Sequence, residues 1–330
     1  MKDKFSLRQA NLSAEWDAFV RQSPEGTLFS ESVYLQAIER KAECWFVHKG
    51  DQAKAGLILL RTRDGAGFEL DDDVIYSGLF FAAPDPRWEQ NRCQTLSNRF
   101  QLTEFVVEEV TKKATRIGLA LAPGVNDIRP FLWHAYHDPD AKKRFHHDIR
   151  YTSYLNVASI LEGEEEATPE FLGLGTSRKQ EIRYARKDGA RGRVNENIDQ
   201  FVDLLQHAAK TQGRDVSERS HKLKKIMSDL TKNARGFIFA ITDTSGQMMS
   251  AAFFAHDSKR AYYLYGANHP ELHNRFSGTI VLWDAFKHLR ELGIQEIDLE
   301  GVNSPKRGWF KMSFGGELRE YHQLTLDSGA

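Results

Sequence analysis

The sequence predicts an α/β protein built from two copies of one unit, each a mixed, mostly antiparallel sheet flanked by helices. Three observations carry this. From Glu43 to Val157 the hydrophobic pattern reads β, β, β, α, β, α, β, and the same order returns from Gly236 to the closing LREYHQLTL. A glutamate-rich run of turn formers, LEGEEEATPE, lies between the copies as a solvated linker. At 330 residues the chain has room for two domains of about 150 residues each. Residue identity between the halves is negligible, so the repeat is one of order and pattern.

Taken in order, SAEWDAFVRQ and SESVYLQAIERK read as short amphipathic helices with serine caps at Ser13 and at Ser30 or Ser32. ECWFVHK and AKAGLILLRT are strands joined by a Gly50-Asp51 hairpin turn. VIYSGLFF is a third strand, ended by Pro84 and Pro86. A polar helix follows from Gln101 to Arg116, then the buried strand GLALAP, a short helix in DIRPFLWHAYHD and the alternating strand YTSYLNV. Past the linker, FLGLGTSRKQEIRYARKDG reads as one basic helix closed by Gly189. Two more helices fit IDQFVDLLQHAAKTQG and SERSHKLKKIMSDLTKNA. Strands GFIFAITD, MMSAAFFAH and RAYYLYGAN come next, then the helix SGTIVLWDAFKHLRELG, ended by Gly293. The strand IQEIDLE, a short helix near WFKMSF and the final strand complete the chain.

Composition narrows the class. With 41% hydrophobic and 28% charged residues, the chain is globular rather than disordered. No run approaches the ~18 apolar residues of a membrane span, and the N-terminus lacks the apolar core of a signal peptide, so the expected location is cytoplasmic. A formal net charge of -1 excludes the global basic footprint of a protein that grips long nucleic acid. Cys44 and Cys93 have no partner pattern for a disulfide framework or a zinc site, and are read as reduced, structural thiols. His134 and His137 lack carboxylate or thiol partners at ligand spacing, and the adjacent His146 and His147 would point to opposite faces of a strand, so no metal is expected. G-x-S-x-G, Walker and G-x-G-x-x-G patterns are absent, which removes support for hydrolase, NTPase and dinucleotide readings.

The richest stretch runs from Tyr262 to Tyr321. Its YYLYGAN, LWDAFKHLRELG, IDLEG and WFKMSFGGELREY, together with the upstream SRKQEIRYARKDG, resemble the FemABX-like branch of the GNAT acyltransferase superfamily. The resemblance implies two tandem GNAT-like domains, at 1–160 and 161–330, the second opened by a basic helix at 177–188. It implies amide-bond formation: an aminoacyl-tRNA gives its aminoacyl group to an amine of a cell-wall or polysaccharide precursor, nucleotide- or lipid-linked. The chain has no room for a coiled-coil arm, so it resembles the short type. No bound cofactor is implied; the donor is a co-substrate. Two alternatives stand beside this, an acyl-CoA-dependent N-acyltransferase acting on a sugar or amino-acid amine, and a non-catalytic GNAT-like scaffold that binds a precursor or a protein. Two departures bear on the choice. Glu300 stands where related sequences often have a small residue, and only Arg275 and Gly278 of the acyl-CoA pyrophosphate loop are present, with Ile280 replacing its last small residue.

Amide formation passes through an oxyanion, which a positioned cation stabilises. Lys311 is the candidate, in an FK-x-x-F-G-G pattern that matches the family's, with Phe310 and Trp309 expected to orient it and keep the site partly dry. The attacking amine must also shed a proton. Asp298 at a strand end, with Glu300 two residues on, is the candidate shuttle. Tyr263 and Tyr265 alternate along their strand and are expected to share one face, lining an acceptor groove. Lys179, Arg183 and Arg186 or Lys187 recur at helical spacing as a basic stripe with one acidic partner, Glu181, suited to the phosphates of a precursor or the acceptor end of a tRNA. Arg275 is a further substrate-binding candidate.

Overall fold

The structure is a computed structural model that describes residues 5–84 and 91–329. Pro86, expected to help end a strand, lies outside the described residues.

The elements are β1 (Phe5–Gln9), α1 (Ala14–Gln22), α2 (Ser32–Ala37), β2 (Ala42–Lys49), β3 (Gln52–Leu60), β4 (Gly78–Phe81), α3 (Arg92–Lys113), β5 (Arg116–Leu121), α4 (Arg129–Trp133) and β6 (His146–Asn156). They continue as α5 (Pro169–Gly173), α6 (Thr176–Lys187), β7 (Arg193–Asn195), α7 (Ile198–Lys210), α8 (Ser217–Lys232), β8 (Gly236–Thr242) and β9 (Met248–His256). The last are β10 (Ala261–Asn268), α9 (Ser277–Glu291), β11 (Glu296–Asp298), α10 (Pro305–Met312) and β12 (Glu317–Asp327). The repeat is longer than the sequence pattern alone reveals. The run β1 α1 α2 β2 β3 β4 α3 β5 α4 β6 recurs element for element as β7 α7 α8 β8 β9 β10 α9 β11 α10 β12. The first strand of each copy escapes sequence reading because it is short and mostly exposed, FSLRQ in one and RVN in the other.

The first compact unit holds the chain up to Arg150 and again from Glu320. It contains an antiparallel sheet in the order β1-β2-β3-β4, and an antiparallel pair in which His322 to Asp327 of β12 run against Leu121 to Arg116 of β5. Its core joins Val47, Leu57 and Leu79 to Val106 and Val110 of α3 and to Leu119 and Leu324. Helix α1 forms as read: Ser13 Oγ accepts the N–H of Trp16, and Trp16 and Val20, one turn apart, are buried. Helix α2 does not use a serine cap. Glu31 occupies the cap position, and Ser32 gives its N–H to Asp17 Oδ1 at 2.8 Å. Helix α3 begins at Arg92, well before Gln101, because Asn91 caps it at Gln94. Only Gly78–Phe81 of VIYSGLFF is strand: the chain turns at Asp72 and Asp73, Val74 bridges back to Asp71, and Gly78 opens the strand at φ +95°. Cys44 is buried, whereas Cys93 is exposed, which does not fit a packed structural thiol.

The second unit spans Tyr151–Arg319. Its strands lie in the order β6-β11-β10-β9-β8-β7, with β10 and β11 parallel and the other pairs antiparallel. Helix α9 lies at the centre of the core, with Ile280, Val281, Leu282, Trp283, Ala285, Phe286 and Leu289 all buried. It stops at Gly293, at φ +89°, where Ile294 N–H reaches back to Leu289 O at 3.0 Å. The basic helix is two helices. Thr168 caps α5 with Pro169 in its first position, the chain is extended at Leu174 and Gly175, and α6 then runs to the Gly189 stop. Gly175 N–H donates to Ser313 O at 2.9 Å, a contact that an unbroken helix could not make.

The sequence places the division at 160 and 161, whereas the compact units divide at Arg150 and again at Arg319. The pairing explains the difference. Tyr154 to Asn156, at the end of the first copy, pair with β11, while the end of the second copy pairs with β5.

Candidate functional site

The second unit has a wedge in its sheet. Parallel pairing between β10 and β11 covers Ala261 with Ile297 and Tyr262 with Asp298, then stops. Beyond it β10 continues to Asn268 along β9, with a bulge between Tyr263 and Tyr265. On the other side β11 ends, and Glu300 and Gly301 take left-handed conformations at φ +48° and +46°. A left-handed glutamate costs roughly 1–2 kcal/mol, and such strain gathers where the surrounding structure fixes a particular geometry.

Lys311 completes that geometry. Its Nζ donates to Leu299 O at 2.6 Å and Glu300 O at 3.0 Å, and lies 4.6 Å from the centroid of the Tyr263 ring. A protonated lysine has three N–H donors. Two are committed to these carbonyls, so the ammonium keeps one to offer, whereas the neutral amine, with two, has none to spare. Desolvation by burial lowers the Lys311 pKa from 10.5 to about 8, opposed by the charges of Glu300 and Asp298 and assisted by Arg307. Burial also pushes the Tyr263 phenol up to about 12. The Tyr263 hydroxyl lies where a Cβ on Gly266 would be, 1.9 Å away, so residue 266 has to be glycine for this ring position.

Asp298 is fully buried. It accepts the Thr152 hydroxyl and, at 2.9 Å, the N–H of Glu300, so it orders the turn that bears the two carbonyls. Glu300 is also buried, and its charge is the larger of the two carboxylate influences on Lys311. Phe310 is partly buried, 5.4 Å from the Phe314 ring and under the Arg178 guanidinium at 4.9 Å. Arg178 also donates to Thr279 Oγ1 at 2.7 Å and pairs with Glu181, tying α6, α9 and α10 together. Sequence spacing singles out its neighbour Lys179 and misses it. The double glycine after Phe314 has a packing role: a Cβ on Gly315 would meet Gly173 O at 2.7 Å, and one on Gly316 would meet Ser153 Oγ at 2.3 Å.

Other expectations change. Trp309 is 80% exposed and excludes no water from Lys311. Tyr263 and Tyr265 do not share a face: across the bulge they pair with the consecutive residues Phe254 and Phe253, and each stacks on its own partner. Much of the basic stripe is paired: the linker is mostly exposed as expected, with Glu165 half-buried, and its Glu165 and Glu166 face the stripe. Arg183 forms a two-pronged pair with Glu166 at 2.6 and 2.9 Å. Arg186 bridges Glu165 at 2.7 Å and Asp284 at 2.5 Å. Glu165 also accepts from Trp283 and Lys287, so Arg186 is part of an internal network rather than a free phosphate ligand. Lys179 Nζ donates to Leu172 O at 2.8 Å. Arg275 stacks 3.7 Å over Tyr184, and its neighbour Asn274 takes the N–H groups of Phe276 and Ser277 at the start of α9. Lys311, Tyr263, Asp298 and Glu300 thus come together around one turn, while Tyr265 and the stripe are engaged elsewhere.

Residues 176–308 match the acetyltransferase (GNAT) domain family model. A comparison with curated proteins by sequence gives no match. Among solved structures, FemX is similar with a TM-score of 0.64 at 14% identity, over 96% of each chain. A tandem GNAT protein from the clavulanic acid biosynthesis pathway gives 0.58 at 10% identity, over 99% of each. The C-terminal domain of a putative lysylphosphatidylglycerol synthetase from Agrobacterium fabrum gives 0.55 at 11%, over 96% of this chain and 92% of that one. Residues 176–308 thus match a GNAT domain, and the chain as a whole has the fold of a tandem GNAT protein.

Proposed function

We propose that the protein forms an amide bond, passing an aminoacyl group from an aminoacyl-tRNA to an amine of a nucleotide- or lipid-linked cell-wall or polysaccharide precursor in the cytoplasm. The observation that carries the reading is the Lys311 ammonium, bound to two strand-end carbonyls with one donor left over. The acceptor amine attacks the ester carbonyl, and the spare N–H of Lys311 meets the oxyanion, an interaction worth about 3–4 kcal/mol. Glu300, the carboxylate with the larger influence on that ammonium, takes the proton that the amine sheds, with Asp298 holding the turn behind it. As the carbonyl re-forms the ester C–O bond breaks, and the proton taken up by Glu300 passes to the leaving ribose oxygen. FemX and the lysylphosphatidylglycerol synthetase domain share this fold and support an aminoacyl reading.

A second reading takes an acyl-CoA as donor to a sugar or amino-acid amine, and the match of residues 176–308 to an acetyltransferase domain favours it. The same lysine serves a thioester. Transfer assays with aminoacyl-tRNAs and with acyl-CoAs, each run on wild type and Lys311→Met, decide between them. Turnover with tRNA donors that collapses in the variant supports the proposal. Turnover with CoA donors alone moves the assignment to the second reading. Binding without turnover of either makes the protein a scaffold.

A further inference from the structure

We propose that the outer face of α10 binds the nucleotide part of a substrate, with Trp309 as the platform for the base and Lys306 and Arg307 as the phosphate ligands. This rests on the reading of Lys311 as the transfer site and names what is held beside it.

Trp309 is 80% exposed, while the other exposed large hydrophobic side chains among the described residues reach at most 61%. A single exposed apolar residue is ordinary, but this one has a charged setting. Pro305–Met312 reads PKRGWFKM, with three cations and no acid. Helical spacing sorts them. Lys306 and Trp309, three apart, share one face, and Arg307 and Lys311, four apart, share the next. Arg307 is close enough to Lys311 and Tyr263 for its charge to act on both. Helix α10 therefore presents, from outside to inside, an aromatic face with a cation beside it, a second cation, and the ammonium in the wedge.

An uncharged sugar or apolar peptide would use the ring and leave Lys306 and Arg307 idle. A phosphorylated nucleoside uses all three, because every base has a face to stack and the phosphates take charge-assisted hydrogen bonds. With its base on Trp309 and its phosphates across Lys306 and Arg307, the ligand directs its remaining end toward Lys311. Three sources share this chemistry: the diphosphate of a sugar-nucleotide acceptor, the 3′ end of a tRNA, and the adenosine phosphate of CoA.

Binding of UDP, of a CCA trinucleotide and of CoA to the full chain is measured by isothermal titration, with wild type, Trp309→Ala, Trp309→Phe, Lys306→Gln/Arg307→Gln and Lys311→Met. Saturable binding of one probe is expected, weakened tenfold or more by Trp309→Ala and partly restored by Trp309→Phe. The double variant is expected to weaken it and flatten its salt dependence. Because Trp309 is exposed, its variants keep the wild-type melting temperature. Lys311→Met is expected to bind within twofold of wild type while losing transfer, so failure of the transfer reading shows in activity and failure of this one shows in binding. The probe that binds identifies the source. Absence of saturable binding up to millimolar concentration of all three probes, or a Trp309→Ala affinity within twofold of wild type, overturns the proposal.

Discussion

Replacing Lys311 with methionine removes the ammonium and keeps most of the side chain's length. If the spare N–H meets the oxyanion, the loss is about 3–4 kcal/mol of transition-state stabilisation, or roughly 100- to 1000-fold in rate. The pH dependence tests the reasoning further. With a pKa of about 8, Lys311 is mostly charged at pH 7, and only roughly a tenth of it is charged at pH 9. Wild-type transfer, divided by that of the Lys311→Met variant at each pH, should therefore fall about tenfold between pH 7 and 9. Taking the ratio cancels the titration of the acceptor amine. The titration of Lys311 does not itself unfold the chain, by the sign of its linkage. Between about 8 and the ordinary 10.5 this lysine is more protonated in the unfolded chain than in the native one, so its contribution to stability rises with pH while activity falls. Initial rates of donor release from pH 6.5 to 9.5, with urea unfolding in parallel, give both curves. A ratio that is flat, or that rises with pH, refutes the assignment of Lys311 as an oxyanion-binding cation.

Three further predictions follow from packing and charge. Burial alone would raise the Glu165 carboxyl, but hydrogen bonds from Arg186, Lys287 and Trp283 hold it down to about 2. Its stabilisation is present above the ordinary 4.5 and is lost as pH falls toward 2. Allowing for its 22% side-chain exposure, it is worth about 1–2 kcal/mol, and Glu165→Gln should remove that part of the acid-denaturation profile. Gly308→Ala places a Cβ 2.4 Å from Val302 O. Since backbone must move, a loss of about 1–3 kcal/mol and a fall in kcat are expected, read by thermal melts and transfer rates. Tyr263→Leu should shift the alkaline limb of transfer by removing the ring beside Lys311, whereas Tyr265→Leu, on the opposite face, should leave that limb in place. Equal effects of the two would mean that the bulge does not separate them in solution.

Much of the fold is legible because its periodicities are local. The serine cap and i, i+4 burial of α1, the glycine stops after α6 and α9, and the strands from Gly236 onward all follow from residues within a few positions of one another. What sequence misses depends on distant partners. RVN becomes strand because Ile238 to Ala240 are there to pair with it. The break at Gly175 is made useful by Ser313, far along the chain. The bulge at Leu264 reverses which face Tyr265 takes, and nothing in YYLYGAN marks it except the glycine that the Tyr263 ring requires. In the site, Lys311 is readable from the family pattern, yet the two carbonyls that hold it are not, because they depend on left-handed conformations at Glu300 and Gly301. The apparent excess of charge on α6 misleads for a related reason. Its counter-charges, Glu165, Glu166 and Asp284, lie on the linker and on α9.

The exchange of end strands sets an order of events during synthesis. The residues of β12 that pair with β5 leave the ribosome only after the whole second unit has been made. At typical elongation rates of about 5–20 residues per second, the first unit waits on the order of ten seconds or more with Arg116–Leu121 lacking this partner. An open strand edge is the kind of surface on which nascent chains aggregate. A chain cut at residue 160 would stay in that waiting state, and production of either half alone would need the missing strand supplied in trans as a peptide.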